Sequence, residues 1–482
     1  MGASERSPGT MAVTAAVAEI VARARAAQAV AGQWTQAQAD EAAVAAAWAI
    51  VEPTRNRALA ERAVADTGLG NIEHKIAKNR RKTMGLLRDL AEARTVGIIV
   101  DDRERGLTEI ARPVGVVAAI TPSTNPSATP ANNIVNALKC RNAIVLAPSP
   151  KGQSTLALLL EYVHAELDRI GAPRDLVQQL PAPVDRAHTR ELMRQADLVV
   201  ATGSATNVRA AYESGTPALG VGAGNVVVIV DETADVEDAA AKIAVSKTFD
   251  NATSCSSENS VVVHQAIADA FLAELARHGA VLLGAEETHR LQAAMFDGGR
   301  LAPDFIAKPA ARIAALAGLD HTAVRNASIL VVEQDAAGIG PAQPFSGEKL
   351  SPVLTLYRAS DFADAADIAQ RVLRHQGAGH SVGLHTTRDE RALELGLRLP
   401  VCRVIVNQAH CFAAGGSYDN ALPFSLSMGC GTWGRNSISD NLNYRHFLNV
   451  TRVVRPFPPE RVREPTEDDL FAAYRRKHGL QA

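Results

Sequence analysis

The 482-residue sequence is poor in cysteine, in net charge and in long apolar runs, and each shortage excludes a class of protein. Five cysteines are too few for a disulfide framework in so long a chain, and the lack of any CxxC pair gives no reason to predict a zinc or other metal site. Lys plus Arg is 50 and Asp plus Glu is 52, so the net charge of −2 predicts neither nucleic acid nor an anionic membrane surface as a partner. The longest apolar runs, such as 226–230, are far shorter than the roughly 20 residues that span a bilayer.

What remains is the composition of a globular protein that binds small molecules. Apolar residues make up 47% and charged residues 21%, and 34 Gly with 23 Pro exclude collagen-like and low-complexity sequences. At about 100–200 residues per domain, the length predicts two to four domains or two large ones. The first ten residues lack the basic and apolar regions of a secretory signal, so we expect a reduced, cytoplasmic chain.

The pattern of apolar and polar segments predicts an α/β fold. Residues 11–66 are rich in alanine and predict two long helices that divide near AGQWT, with Thr35 as N-cap of the second. We interpret these helices as part of the domain, and docking to a larger assembly is the alternative. Residues 95–120 predict two strands joined by a charged turn at Gly106, then an apolar strand. Strands and helices then alternate as far as VVVIV (226–230), which is typical of a doubly wound, dinucleotide-binding sheet.

A second series of helices and strands begins at 235–248, so we place a domain border near Asp231. After the strand at 402–407 the chain is rich in Gly, Asn and Ser as far as Asn443. This composition predicts a long ordered loop region, and loops on a rigid scaffold concentrate function. The predicted units are 1–230 with the hairpin near 95–112, 231–430, and a C-terminal segment over 431–482.

One cysteine differs from the other four in its polar setting. Cys255 lies in FDNATSCSSENS, among Ser, Thr and Asn residues and immediately before a predicted strand. Cys140 and Cys402 lie in core-like segments and are interpreted as structural, whereas Cys411 and Cys430 lie in the Gly-rich region and could line a site. We predict Cys255 as a nucleophile, and a buried structural cysteine is the alternative.

Five other positions are candidate parts of a site. Asn125 follows a predicted parallel strand, whose carboxyl end is the usual location of ligands. Ser204 opens a predicted helix and either faces a pyrophosphate or is a plain helix cap. Gly220 lies in GVGAG, which lacks the spacing of a phosphate loop and predicts a close backbone approach or a tight turn. His380 and Glu348 lie in loops, where each is either a site residue or an ordinary turn or solvated residue.

Seven blocks, taken in order, resemble the CoA-acylating branch of the aldehyde dehydrogenase superfamily. They are GVVAAITPSTNPSAT, KCRNAIVLAPSPKG, ATGSATNVRAAYESGTPALGVGAGN, KTFDNATSCSSENSVVVH, GEKLSPVLTLYRA, GAGHSVGLHT and LSMGCGTWGRNSISDN. The resemblance implies a Rossmann-like dinucleotide-binding domain, an α/β catalytic domain and a β-hairpin arm for oligomerisation, and hence a homodimer or homotetramer. It also implies NADP or NAD as cofactor and CoA as co-substrate.

The resemblance also implies roles for individual residues. Cys255 matches the catalytic thiol, Asn125 the amide that stabilises the oxyanion, and His380 the histidine of the acylating branch. The implied cofactor-binding residues are Thr121, Pro122, Ser149, Lys151, Gly203, Ser204, Gly220 and Glu348.

The sequence favours a thiol over water as the acceptor of the acyl group. Hydrolytic members of the superfamily carry a Glu before Leu-Gly-Gly that activates water, and Ala218 stands at that place here. The thiol of CoA is intrinsically nucleophilic and needs less help. We therefore expect an acyl-CoA product. The alternatives are a hydrolytic aldehyde dehydrogenase that releases a free acid, and a catalytically silent assembly subunit.

The aldehyde is predicted from two blocks, ATSCSSEN and 407–434, which look most like acylating dehydrogenases of sulfoacetaldehyde. Acetaldehyde or propanal is the alternative substrate. A sulfonate needs hydrogen-bond donors or a cation near the aldehyde. The candidates in the loop region are His410, Ser417, Asn420 and Arg435. Lys151 could bind the 2′-phosphate of NADP, and the choice between NADP and NAD stays open.

Overall fold

The structure, a computed structural model, describes residues 8–481 and confirms the predicted α/β class, with two separate parallel sheets. Residues 1–7, part of the stretch in which no secretory signal is expected, lie outside the described residues. None of the described helices combines the length and the hydropathy of a bilayer-spanning segment.

Four helices open the described chain: α1 (Pro8–Ala31), α2 (Gln36–Val51), α3 (Pro53–Thr67) and α4 (Ile72–Leu90). The prediction of two helices over 11–66 is wrong because Pro53 begins a third. Proline lacks the N–H that would continue the preceding helix, and the Glu52 carboxylate caps the new one. Thr35 caps α2 as predicted, in a capping box with Gln38.

Helix α4 has no counterpart among the predicted elements. Its buried face carries Lys75, Lys78 and Lys82, at spacings of three and four residues. Lysine is among the residue types least often buried, so this face does not look apolar in the sequence. The helix packs against α2, α3 and α5 (Ala128–Lys139).

The predicted hairpin is present as an antiparallel pair, β1 (Gly97–Asp102) and β2 (Leu107–Pro113), joined through Gly106. Its predicted part in oligomerisation stays a prediction. The chain then enters a five-stranded parallel sheet with strand order β5-β4-β3-β6-β7. The strands are β3 (Val116–Thr121), β4 (Ala143–Pro148), β5 (Val177–Gln179), β6 (Leu198–Thr202) and β7 (Ala218–Val221). The helices that follow α5 are α6 (Gln153–Arg169), α7 (Arg186–Gln195) and α8 (Ala205–Tyr212).

The second parallel sheet has seven strands in the order β10-β13-β14-β9-β8-β15-β16. Its strands are β8 (Val226–Val230), β9 (Glu258–His264), β10 (Ala280–Leu282), β13 (Ile329–Glu333), β14 (Val353–Ala359), β15 (Val382–His385) and β16 (Val404–Val406), and β11 (Phe296–Asp297) with β12 (Arg300–Leu301) forms a small separate hairpin. Its helices are α9 (Val236–Thr248), α10 (Ala268–Arg277), α11 (Ala285–Met295), α12 (Ala310–Leu316), α13 (Thr322–Arg325), α14 (Phe362–His375), α15 (Asp389–Arg398) and α16 (His410–Ala413).

Strand β8, the VVVIV segment, joins the second sheet and not the first. It pairs with β9 on one side and β15 on the other. The change of sheet therefore lies between Val221 and Val226, ahead of the border expected near Asp231, because the apolar pattern of a strand does not say which sheet it joins. The division into 1–230, 231–430 and 431–482 otherwise stays a prediction.

The C-terminal part of the described chain returns to the hairpin. The Gly-rich region is a long ordered loop, as predicted, and Phe424 and Leu442 from it enter the core of the first sheet. The last strand, β17 (Leu448–Val454), pairs antiparallel with β2. The last helix, α17 (Glu467–His478), has no buried residue.

Candidate active site

A cavity of about 450 Å³ lies at the carboxyl ends of the strands of the first sheet. The segments after β3, β4, β6 and β7 form one wall, and the loop before β9, Glu348 and the Gly-rich region form the other. Loops at the carboxyl ends of parallel strands are the usual ligand site in α/β proteins. The cavity therefore lies between the two sheets, where the sequence predicts a nucleotide and a substrate.

Cys255 lines this cavity from the loop between α9 and β9, and its side chain is partly exposed there. The chain reaches it through three consecutive residues in the left-handed region: Asp250, Asn251 and Ala252, with φ of 52°, 51° and 57°. Non-glycine residues adopt this conformation rarely, and it persists only where the surroundings hold it. The loop that carries the thiol is therefore fixed by its neighbours.

A buried ion-pair network holds that loop. The Asp250 carboxylate is fully buried and accepts from Lys78 Nζ at 2.5 Å, from Lys75 Nζ at 3.1 Å and from Thr253 Oγ1 at 2.7 Å. Burial raises the pKa of Asp250, but the two lysine charges outweigh it and lower the pKa to about 2. Asp250 thus stays ionised between the two lysines, and α4 is tied to the nucleophile loop.

The same network orients Asn125. Lys78 Nζ donates to Asn125 Oδ1 at 2.9 Å, and Lys75 Nζ donates to the carbonyl of Thr124 at 3.2 Å. With its oxygen engaged, the Asn125 side chain keeps its Nδ2 group as a donor, and Asn125 lines the cavity together with Cys255. Neither this group nor the backbone N–H of Cys255 donates to another residue in the described part of the chain. The two residues that line the cavity thus carry two donors available to a ligand.

Close backbone packing supports the thiol from behind. A Cβ on Gly224 would lie 2.0 Å from the carbonyl oxygen of Cys255, so only glycine fits. The close backbone approach predicted for the GVGAG motif thus occurs at Gly224. Gly220 does not line the cavity, and its α-carbon instead faces Val208 and Tyr212.

Burial raises the pKa values of two groups in the cavity. Desolvation first, and then the negative charge of Glu348, raise the pKa of Cys255 to about 12. Desolvation likewise raises the pKa of Glu348 to about 8. Glu348 is the one carboxylic side chain among the described residues that line the cavity. The thiol must therefore lose its proton as the reaction begins, because desolvation outweighs the opposing effect of the Arg403 charge on its pKa.

The predicted cofactor-binding residues divide into two groups. Thr121, Pro122, Ser149, Gly203, Ser204 and Glu348 all line the cavity. The Ser149 hydroxyl is buried with no partner among the described residues. Ser204 lines the cavity and also caps α8, so the two interpretations of it are compatible. Lys151 is exposed and does not line the cavity.

His380 is buried behind the cavity and does not line it. Its Nδ1 lies 2.7 Å from Ser381 Oγ, and its Nε2 has no partner among the described residues. Burial, followed by the charge of Arg403, lowers the pKa of His380 well below its usual range. The ring is therefore neutral, and its expected part in catalysis stays a prediction.

None of the four residues predicted to bind the substrate lines the cavity. His410 is buried behind the Cys255 loop, with Nδ1 at 2.8 Å from the carbonyl of Ser256. The Ser417 hydroxyl accepts a hydrogen bond from Arg81 at 2.6 Å. Spacing along a loop says nothing about which side chains turn inward, and here these two turn to other partners.

The other two predicted substrate residues have structural or surface positions. The Asn420 side chain accepts from the backbone of Ser417 and Leu422 and donates to Gln408, so that it closes a turn. Arg435 is exposed, with a left-handed φ of 56°. The cation and the hydroxyl groups near the thiol come instead from residues that the sequence analysis did not select, namely Lys82, Thr129, Ser254, Ser256 and Ser425.

A second cavity, also of about 450 Å³, adjoins the first and shares Thr121, Ser149 and Asn207 with it. Arg186 and Arg190 of α7 line it. Asp185 also lines it, but its carboxylate accepts hydrogen bonds from the backbone and ring of His188. Neither arginine was predicted from the sequence, because only the fold brings them to the cavity at the end of β4.

Comparison with known proteins gives the same picture. The chain matches the aldehyde dehydrogenase family over residues 9–291. It is 62% identical over 459 residues to the acylating sulfoacetaldehyde dehydrogenase of Cupriavidus necator, covering 95% of this chain and 92% of that one. Its fold is similar to an acetylating aldehyde dehydrogenase of Geobacillus thermoglucosidasius, with a TM-score of 0.89, 35% identity, and coverage of 96% and 100%.

A third similar protein has a solved structure that contains a bound acyl-CoA. A propionaldehyde dehydrogenase of Rhodopseudomonas palustris, whose structure contains propionyl-CoA, is similar with a TM-score of 0.80 and 25% identity. The match covers 91% of this chain and 94% of that one. These similarities confirm the resemblance that the seven sequence blocks predict. The chain belongs to the aldehyde dehydrogenase family, among its acylating members.

Proposed function

We propose that this chain oxidises sulfoacetaldehyde, with NADP⁺ or NAD⁺ and CoA, to the acyl-CoA through a thioester on Cys255. The observation that carries the proposal is the meeting of three groups at one cavity: the Cys255 thiol, the Cys255 backbone N–H and the Asn125 Nδ2 group. A thiol beside two free hydrogen-bond donors suits addition to a carbonyl, whose oxygen becomes negatively charged. The similarity to an acylating sulfoacetaldehyde dehydrogenase supports the choice of aldehyde.

In the first half-reaction the Cys255 thiol gives up its proton to solvent in the cavity, and its sulfur bonds to the aldehyde carbon. The carbonyl electron pair moves to oxygen, where Asn125 and the Cys255 N–H stabilise the charge. The adduct re-forms the carbonyl as it loses hydride from the same carbon, which leaves a thioester. A bound nicotinamide nucleotide supplies the acceptor for that hydride. In the second half-reaction the CoA thiol attacks the thioester carbon, and Cys255 Sγ leaves.

The residues along the strand ends suit a dinucleotide. Ser149 has a buried hydroxyl without a partner, and the N-terminus of α8 at Ser204 offers backbone N–H groups to a pyrophosphate. Glu348 lines the same cavity as these residues and Cys255 and would accept from ribose hydroxyls. Arg186 and Arg190 supply positive charge in the adjoining cavity, which favours NADP⁺ over NAD⁺.

We further propose that the chain acts in the cytoplasm as a homodimer or homotetramer assembled through the β1–β2–β17 sheet and the segment after it. All five cysteines are free, which suits a reducing compartment. Val453 and Val454 of β17 and Phe471 and Tyr474 of α17 are exposed. Apolar side chains grouped on a protruding segment are typical of a surface that a second copy covers.

The test is formation of reduced nucleotide from sulfoacetaldehyde, with NADP⁺ and with NAD⁺, in the presence and absence of CoA. We expect one burst per active site without CoA, sustained turnover with it, an acyl-CoA product by mass spectrometry, and no reaction by Cys255→Ala. Full-rate turnover without any thiol would overturn the proposal.

Hydrolysis is the second candidate, because Glu348 is a carboxylate near Cys255 with a pKa of about 8, which suits a base for water. The same experiment with Glu348→Gln separates the two candidates. If Glu348 activates water, this variant loses the slow release of free acid that occurs without CoA. If Glu348 binds ribose, the variant raises KM for the nucleotide and leaves acid release relative to acylation unchanged.

A further inference from the structure

Lys82 is the one cationic side chain that lines the cavity in the described part of the chain. It lies on the buried face of α4 and is 7% exposed. Its Nζ donates to the carbonyl oxygens of Gly415 at 2.6 Å and Gly416 at 3.4 Å. The ammonium group is therefore held in place by backbone at the edge of the cavity, with one further donor position than these two contacts use.

This cation has no carboxylate partner, unlike the other two lysines on the same face. Lys75 and Lys78 share Asp250, whereas no described Asp or Glu lies within 4 Å of Lys82 Nζ. The titratable groups whose charges act on it are Arg81, Lys78, Cys411 and Cys255. A buried cation is unfavourable unless an anion balances it. An anionic ligand in the cavity would supply that balance.

The position of Lys82 is at the thiol end of the cavity. Its partner Gly415 directly follows Ala413 and Ala414, which belong to the small apolar cluster, with Ile405 and Met428, against which Cys255 packs. The predicted cofactor-binding residues other than Glu348 lie at the strand ends, on the opposite wall. A group attached to an aldehyde at Cys255 can therefore extend toward Lys82 without entering the nucleotide site.

A second donor faces the same cavity from the next helix. Thr129 of α5 is 1% exposed and lines the cavity, and its hydroxyl has no partner among the described residues. A helical threonine usually bonds its hydroxyl to the carbonyl one turn before it, so an unpartnered one is unusual. Its hydrogen is free for a ligand oxygen.

We propose that Lys82, assisted by Thr129, binds the anionic end of a short-chain aldehyde and thereby sets the preference for a sulfonated over a neutral substrate. This inference rests on the proposed function, since it takes the aldehyde to react at Cys255. A sulfonate carries its charge on three oxygens, which lets it accept from the ammonium and the hydroxyl together. The compact charge of lysine suits such a group.

The experiment compares kcat/KM for sulfoacetaldehyde and for propanal, which is neutral and of similar length, in the presence of CoA. In Lys82→Met we expect the value for sulfoacetaldehyde to fall roughly 10- to 100-fold and the value for propanal to stay within about threefold. Lys82→Gln keeps a donor for the two carbonyl groups and removes only the charge, so it should give the same change of preference. Thr129→Val should lower kcat/KM for sulfoacetaldehyde by about tenfold and leave the value for propanal unchanged.

The matched control is Arg435→Met, which removes a cation from the loop region outside the cavity and should leave the preference unchanged. Thermal unfolding of each variant shows whether it is folded. A Lys82→Met or Lys82→Gln enzyme that is folded and keeps the wild-type preference overturns the inference and leaves the proposed function standing.

Inhibition by ethanesulfonate gives a readout that does not need an anionic substrate to turn over. We expect ethanesulfonate to compete with propanal in the wild-type enzyme and its Ki to rise at least about tenfold in Lys82→Met. If the wild-type enzyme does not oxidise sulfoacetaldehyde but shows this difference in Ki, the proposed substrate is wrong and the anion site stands. Equal Ki values in the two enzymes would overturn the site.

Discussion

The charge on Lys82 is the most sensitive single feature of the site. Burial removes water from the ammonium group, and with the nearby Arg81 charge it lowers the pKa of Lys82 to about 7. With no described carboxylate within 4 Å, the ammonium group of Lys82 is therefore close to losing its proton near neutral pH. Whether it is charged decides how well the cavity binds an anion.

This gives a pH dependence with a definite sign. Lys82 is largely protonated well below pH 7 and loses its charge as the pH rises through about 7; Arg81 and Lys78 favour this loss, and Cys411 and Cys255 oppose it. We expect the ratio of kcat/KM for sulfoacetaldehyde to that for propanal to fall by about tenfold per pH unit above about pH 7. Ionisation of Cys255 affects both substrates and cancels in the ratio. Steady-state kinetics from pH 6 to 9 measure this ratio of the two kcat/KM values.

The variant Lys82→Met is the control for this pH profile. Its ratio should be low and independent of pH, because no titrating cation remains at the site. A wild-type ratio that stays constant from pH 6 to 9 would contradict the assignment of the pH effect to Lys82.

At the scale of elements, α4 supports the nucleophile loop through one buried carboxylate. Asp250 connects Lys75 and Lys78 of the helix to the left-handed segment before Cys255, and Lys78 also orients Asn125. Helix, loop and amide are thus parts of one hydrogen-bonded unit. Removing the central charge should disturb all of them at once.

We expect Asp250→Asn to lower the free energy of unfolding by about 3–5 kcal/mol, because it leaves two buried lysines without a counter-ion. It should also lower kcat by about 10² to 10³, the loss we also expect for Asn125→Ala, because the oxyanion donor is misplaced. Asp168→Asn, which breaks an exposed pair with Arg174, should cost at most about 1 kcal/mol. Denaturant unfolding and steady-state kinetics check both effects.

A double-mutant cycle distinguishes positioning from independent damage. If Asp250 acts through Asn125, the variant lacking both should have nearly the kcat of Asn125→Ala alone. Effects on kcat that multiply in full would contradict a shared role.

Most elements could be predicted from the sequence, and the exceptions have physical reasons. Most strands of the two large sheets are short apolar runs between turns, a pattern that identifies them, whereas the short strands β7 and β10 and the exposed strand β17 were not predicted. Helix α4 was missed because its buried face carries lysines, and β8 was assigned to the wrong sheet because its partners lie far along the chain. The spacing of apolar residues indicates which positions are buried. It does not indicate which buried charges pair or which strands lie side by side in a sheet.

The site was predictable to the same degree. Asn125 and Ser204 follow predicted strands, and Cys255 precedes one. The topology of the sheets therefore brings all three to the same cavity at the strand ends. The substrate residues were sought in the loop region, where only three-dimensional packing decides that Ser417 and Asn420 face away. The cation that lines the cavity, Lys82, lies on a helix far along the chain from the loop region. A lysine on the buried face of a helix is the signal that could have identified it.

At the scale of the whole molecule, the hairpin sheet and the C-terminal segment extend from the body without a covering layer. The side chains of β17 are exposed except at its start, and those of α17 are not buried. In the proposed assembly, a helix that exposes Phe471 and Tyr474 would gain stability from contact with another copy.

We therefore expect Phe471→Asp with Tyr474→Asp to reduce the mass of the particle in size-exclusion chromatography with light scattering, because two charges would replace apolar contacts between copies. Leu397→Asp, a change at an exposed apolar position on α15, is the matched control and should leave the mass unchanged. An unchanged mass for the double variant would contradict assembly through α17.

Because α4 places its catalytic support and its anion contact on successive turns, the two can change independently. In the first half of the helix, Lys75 and Lys78 hold Asp250 and Asn125 in place. Lys82, one turn later, contacts the substrate. Replacement of a single side chain could thus redirect the enzyme toward other aldehydes and leave its reaction intact. A saturation library at position 82 is accordingly a compact starting point for making new acyl-CoA thioesters on this scaffold.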